Sequence, residues 1–94
     1  MKFSPSNLGV IACDHVFRAS RPVLLVAHSM EGWDFACGQR DHGGADDFHN
    51  VGVGHLVSRD PSVNECADLE CGCIAERSSQ GAMWVRQPIP EHER

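Results

Sequence analysis

Apolar residues along this chain mostly alternate with polar ones or form short continuous runs, a pattern typical of β-strands rather than of long helices. Residues 10–17 alternate, and they predict a first strand with Cys13 and His15 on one face. Residues 23–28 are rich in valine and leucine, which predicts a second strand buried on both faces. The first third of the chain therefore predicts sheet structure.

A third strand is predicted for residues 33–37, where Trp33, Phe35 and Cys37 alternate with smaller or charged residues. The large side chains of this strand are expected to face the core. Residues 29–32 end in glycine and predict a hairpin connection, so we expect the second and third strands to pair antiparallel.

The second half of the chain begins with a loop. Residues 38–50 are dense in glycine and aspartate, which favours turns. Alternation then predicts a strand over residues 51–57, with His55 on its inward face. Residues 73–77 and 83–86 predict two closing strands.

One short helix is predicted after Asp60. This residue fits the N-cap position, with Pro61 at the first helical position. Alternatively Ser62 is the cap, and Glu65 stands at the spacing of a capping box.

These elements predict an α+β fold, with a mostly antiparallel sheet and one short helix. The 94 residues suffice for one domain with a modest core. We expect residues 1–8 to be a lead-in and residues 87–94 to be a frayed tail.

The charge balance argues against one class of function, the binding of nucleic acid. The net charge is −5, and Lys2 is the one lysine of the chain, so binding to nucleic acid is not expected. No apolar run is long enough to predict a transmembrane helix. Ser4 and Pro5 interrupt the apolar stretch that a signal peptide needs, so we expect a cytoplasmic protein with reduced thiols.

Cysteine and histidine side chains form the strongest candidate for chemistry, a zinc site. Zinc takes about four such ligands in a tetrahedron, and neighbouring strands would bring four of the candidates together. The alternative is that the cysteines are small core residues and the histidines are hydrogen-bonded within the core. Zinc is the one cofactor suggested, in a structural role; otherwise none is expected. The candidate ligands are Cys13, His15, Cys37, His42 and His55.

A second group, Cys66, Cys71 and Cys73, supplies three soft ligands without a fourth nearby in sequence. We interpret it as incidental, with a metal or redox role as the alternative.

The loop over residues 38–50 carries Asp41, Asp46 and Asp47 without the spacing of a calcium-binding EF-hand. We expect a solvated acidic loop, with a loop that binds a protein partner as the alternative. Trp33 is predicted to be core; if exposed, it would be an interface anchor.

No enzyme activity is predicted. The segment around His28 and Ser29 is similar to the nucleophile elbow of α/β-hydrolases, but Glu31 stands where that turn needs glycine. No nucleophile, base and orienting group can be assembled from the spacing.

Five short motifs in order resemble a family: Gly32-Trp33-Asp34-Phe35-Ala36-Cys37-Gly38, Val53-Gly54-His55-Leu56, Arg59-Asp60-Pro61-Ser62, Ala75-Glu76-Arg77 and Trp84. The family comprises small bacterial proteins of unassigned function, some described as immunity proteins of toxin systems. The resemblance covers about residues 10–86. It implies a protein-binding module that neutralises a toxin by occluding its active site. The alternative, which rests on the cysteine and histidine residues and not on the resemblance, is a small domain held by zinc. The motif residues to which it gives a fold role are Trp33, Phe35, Gly38, Asp60, Pro61, Ser62, Glu76 and Arg77.

Overall fold

The computed structural model describes residues 8–30, 32–37 and 48–89. Within them the chain forms six strands and three short helical segments, which confirms the α+β class. The strands are β1 (Gly9–Cys13), β2 (Leu25–Ser29), β3 (Gly32–Ala36), β4 (Phe48–Gly52), β5 (Cys73–Glu76) and β6 (Val85–Pro88). The helical segments are α1 (Asp14–Phe17), α2 (Val53–Arg59) and a 3₁₀ helix (Pro61–Cys66).

The strands form one sheet in the order β4-β1-β3-β2-β5-β6. Its pairs are antiparallel except for β1 and β3, which run parallel. The predicted hairpin is confirmed, since β2 and β3 pair antiparallel from Leu25 opposite Ala36 to Ser29 opposite Gly32.

One face of the sheet carries the core. The register places Val26 beside both Phe35 and Ala75, and Ala12 beside Phe35, so these buried side chains share a face. The helical segments pack against this face of the sheet and form the second layer of the domain. Its buried residues are Val16, Val53, Leu56, Val57, Val63 and Cys66.

The predicted strand over residues 10–17 is wrong in its second half. β1 ends at Cys13, and α1 occupies the next turn. Asp14 explains the break, because aspartate is disfavoured in strands and favoured in the first turn of a helix. His15 therefore lies on a helical turn rather than beside Cys13 on one strand face.

The predicted strand over residues 51–57 is also corrected. β4 starts at Phe48, inside the predicted loop, and ends at Gly52. α2 follows and buries Val53, Leu56 and Val57, which are spaced as one face of a helix. Valines at every second position fit a strand equally well, so periodicity alone gave the wrong element.

The predicted helix start at residues 60–62 is confirmed, but the helix that follows is a 3₁₀ helix. Asp60 is the N-cap, and its side chain accepts a hydrogen bond from the backbone N–H of Ser62. Pro61 opens this helix. At the end of the described chain, β6 continues to Pro88, so the first residues of the predicted tail pair with β5.

The single turn of α1 ends in a Schellman motif. The N–H of Ser20 donates to the carbonyl oxygen of His15, and that of Ala19 donates to Val16. Ala19 takes the left-handed position with φ of 60°, where glycine is usual. This reversal brings the backbone N–H of Arg21 to the same His15 oxygen.

We expect Ala19→Gly to raise the free energy of unfolding by about 0.5–1 kcal/mol, because glycine takes a positive φ without steric cost. Urea unfolding checks this value. Ala82→Gly is the matched control, since Ala82 also lies in a turn but has no positive φ. Equal destabilisation by the two substitutions would contradict the prediction.

Candidate metal site

The sheet brings two of the predicted ligands to one edge. Because β1 and β3 are parallel neighbours, with Ala12 opposite Phe35, their carboxyl ends lie side by side. Cys13 is the last residue of β1, and Cys37 directly follows β3. Both thiols are buried. The turn of α1 then adds the half-buried His15.

The ligand atoms of Cys13, His15 and Cys37 all lie within 4.8 Å of one another. The Nδ1 atom of His15 is 3.6 Å from the Sγ atom of Cys37. Tetrahedral zinc with ordinary bond lengths places a sulfur and a nitrogen ligand about 3.6 Å apart, and two sulfurs about 3.8 Å apart. The metal cluster, as we name these three residues, can therefore hold a metal ion with small side-chain adjustments.

Arg21 contacts the metal cluster. Its Nη1 atom lies 3.3 Å from the Nδ1 atom of His15 and 3.7 Å from the Sγ atom of Cys37. Arginine has only donors, so the Nδ1 atom of His15 accepts and carries the lone pair that a metal would use. A metal ion at the cluster would have to displace the Arg21 guanidinium from both ligand atoms.

Burial is the main influence on the Cys13 thiol and raises its pKa, and the nearby Cys37 thiol adds to the rise. Two backbone hydrogen bonds oppose the shift only in part. Without a metal the thiol form of Cys13 is therefore favoured, whereas a bound metal would hold a thiolate.

No protein-family model, curated protein or solved structure matches the chain. The metal cluster and the contacts around it therefore carry the functional argument. None of the helices in the described ranges is long and apolar enough to cross a membrane.

Two predicted ligands do not join the metal cluster. The prediction for His55 is wrong, because this residue lies on α2 with an exposed side chain instead of on an inward strand face. His42 lies outside the described residues, as do Gly38 and the predicted partner-binding residues Asp41, Asp46 and Asp47.

The second cysteine group does not converge in the part of the chain that the structure describes, where Cys13, His15 and Cys37 are the one group with metal-binding spacing. Cys66 is buried and Cys71 is exposed. Burial raises the pKa of the Cys66 thiol to about 11, which is typical of an inert core thiol.

Trp33 is half-buried rather than fully in the core. Its ring stacks on the imidazole of His28, with ring centroids 3.9 Å apart. Phe35, from the same motif, is one of the largest fully buried side chains, as predicted.

Three of the other motif residues, Asp60, Ser62 and Arg77, meet in a largely buried polar network. The Nη2 atom of Arg77 lies 2.6 Å from the carboxylate of Asp60, and its Nη1 atom donates to the Ser62 hydroxyl. The Nε and Nη2 atoms also donate to the carbonyl oxygen of Val23. The Trp84 ring lies 4.2 Å from the guanidinium carbon. The motifs around residues 60 and 77 therefore share one structural role.

Glu76 does not take part in that network. It is exposed on β5 and accepts a hydrogen bond from the side chain of Gln87. Adjacent residues of a strand point to opposite faces, which separates Glu76 from Arg77.

Arg21 is part of the site although no sequence motif predicted it. The only local signal was Pro22, which marks a turn. The contact itself depends on the α1 reversal, which the predicted long strand had excluded.

We expect Asp60→Asn to lower the free energy of unfolding by about 2–4 kcal/mol at neutral pH, since Arg77 loses a buried anionic partner. Burial by itself would raise the pKa of Asp60, but hydrogen bonds from Ser62 and Arg77 outweigh it and leave the pKa below its ordinary value of 3.8. The contribution of a depressed carboxyl is present above its unfolded pKa and is lost as the pH falls through the folded pKa. The difference between wild type and variant should therefore shrink in urea titrations below pH 3.8. A difference that stays constant into acid would contradict this assignment.

Proposed function

We propose that this chain is a small domain held by one structural zinc ion, with Cys13, His15 and Cys37 as protein ligands. The observation that carries the proposal is the convergence of their ligand atoms within 4.8 Å. The sequence had placed all three residues among its five candidate ligands, although it contains no compact pair of cysteines with zinc-site spacing.

The donor set favours zinc. Two thiolates and one imidazole match the soft and borderline ligands of structural zinc sites, whereas calcium and magnesium prefer oxygen. The burial of both cysteines favours a structural over a catalytic role, because a catalytic zinc needs a position open to substrate. A structural site needs a fourth protein ligand, and His42 is the sequence's candidate for it.

Native mass spectrometry of untagged protein, purified under reducing and chelator-free conditions, tests the proposal. We expect the mass of one zinc above the apo chain, less the displaced protons. Cys37→Ala should lose the zinc, while Cys71→Ala, the matched control at an exposed thiol, should keep it. A bare wild-type monomer that retains no zinc after equimolar addition would refute the site.

A second candidate function is protein binding, as the resemblance to immunity proteins implies. The sheet face opposite the core supports it, because Ile11, Ala27 and Ile74 are half-buried there while Asp34 and Glu76 are exposed. An apolar centre beside acidic groups suits a partner with a basic rim.

The wild-type domain, used as bait on lysate of its host, should enrich one protein over a mock bait. Ile74→Arg should abolish this enrichment. Met83→Arg, at an exposed position in the segment before β6, should leave it unchanged. The same yield from bait and mock bait would count against this function.

A further inference from the structure

A groove lies between the reversal after α1 and the helix α2, next to the metal cluster. Its cavity volume is about 410 Å³, and its lining includes Ser20, Arg21, Leu56, Arg59 and Gln80. This volume is within the range of sites for small molecules, about 300–1,000 Å³. The groove is therefore large enough for a small ligand.

The groove is basic although the chain is acidic. The net charge is −5, with eight lysines and arginines in all, and Arg21 and Arg59 both line this cavity. Asp60 also lines it, but the buried guanidinium of Arg77 neutralises that carboxylate at 2.6 Å. A negatively charged ligand would find the positive charges of Arg21 and Arg59 here.

Arg59 is held in place at the groove. Its Nη1 atom donates to the carbonyl oxygens of Val16 and Phe17, at 2.9 and 3.1 Å. A guanidinium carries donors on three nitrogens, so Nε and Nη2 can serve a ligand while Nη1 anchors the side chain. A planar guanidinium fixed in this way suits the paired oxygens of a phosphate or a carboxylate.

The backbone of the groove is strained at Ala19, which lines it with φ of 60°. Residues other than glycine in the left-handed region cost roughly 1–2 kcal/mol, and such strain concentrates at ligand sites. The strained turn is also what brings Arg21 back over His15.

Arg21 belongs to both sites, since it lines the groove and its Nη1 atom contacts His15 and Cys37. A metal ion would take the single lone pair of the His15 Nδ1 atom, so the Arg21 guanidinium would lose this acceptor and would turn towards the groove. We propose that the groove binds an oxyanion between Arg21 and Arg59, and that zinc at the metal cluster strengthens this binding. The coupling, though not the groove, rests on the proposed zinc function.

Such coupling is reciprocal, so the oxyanion must strengthen zinc binding by the same factor. Calorimetric titration at constant ionic strength tests it, with inorganic phosphate and succinate as separate probes. Each probe is added to zinc-loaded protein freed of excess zinc and to chelator-treated protein. We expect saturable binding in both states, about 5-fold or more tighter with zinc. The preferred probe shows whether the natural ligand carries a phosphate or a carboxylate.

Variants locate the site. Arg59→Gln should weaken binding about 10-fold or more in both states without changing zinc content, because a charge-assisted pair is lost. If that variant does not fold, Gln80→Glu adds a negative charge to the groove from an exposed turn and should also weaken binding. Arg86→Gln, which is outside the groove lining, should bind like wild type.

The possible failures are distinct. If neither probe binds saturably in either state, the proposal that the groove binds an oxyanion is overturned. Equal affinities with and without zinc overturn the coupling alone. If the protein retains no zinc, the proposed function fails, and the chelator-treated protein still decides whether the groove binds an oxyanion.

Discussion

Removal of zinc is expected to lower the midpoint of thermal unfolding by roughly 20 °C or more. Structural zinc contributes on the order of 10 kcal/mol in small zinc domains, whereas a domain of this size is stable by only about 5–10 kcal/mol. Metal removal also leaves Cys13 as a buried thiol and lets Arg21 compete for His15 and Cys37.

Calorimetric or circular dichroism melts with and without chelator measure this loss. Cys13→Ala and Cys37→Ala should melt near the chelated wild type, and chelator should shift them little further. Cys71→Ala is the control with an exposed thiol and should respond to chelator as the wild type does. A wild-type melt that chelator leaves unchanged would rule out a structural metal.

Arg77→Ala is expected to lower the free energy of unfolding by about 3–5 kcal/mol, a large share of the stability of a domain of this size. The side chain is fully buried, with a relative exposure of 0%. Truncation leaves the Asp60 carboxylate and the Val23 carbonyl oxygen without their guanidinium donor. It also removes the cation–π contact with Trp84.

Arg86→Ala is the matched control, since its ion pair with Asp68 is exposed and should contribute no more than about 1 kcal/mol. The double variant Arg77→Met with Asp60→Leu should recover stability relative to Arg77→Met alone, because no unpaired charge stays buried. Equal losses for Arg77→Ala and Arg86→Ala in urea titrations would show that the buried network adds nothing.

Local features of the sequence predicted much of the fold. The hairpin of β2 and β3 followed from alternation and a glycine-ended turn, and both strands lie within two residues of their predicted bounds. The cap at Asp60 followed from the preference of aspartate for the N-cap position. These elements are set by contacts between residues close in the chain.

Periodicity failed where one spacing satisfied two elements. Val53 and Val57 stand four apart, which suits both a helix and a strand, and the helix won because Leu56 completes its buried face. The predicted strand also placed His55 on a face towards the core, and this residue was therefore included among the predicted zinc ligands.

The sequence by itself determined the α+β class, the hairpin and the cap, because turn chemistry and side-chain alternation act over a few residues. Only the tertiary structure decided that β1 and β3 are parallel neighbours, and thus that Cys13 and Cys37 meet. It also decided the α1 reversal that adds His15 and Arg21, and the pairing of Asp60 with Arg77. These contacts depend on which distant segments bury apolar surface together, and no local pattern encodes that choice.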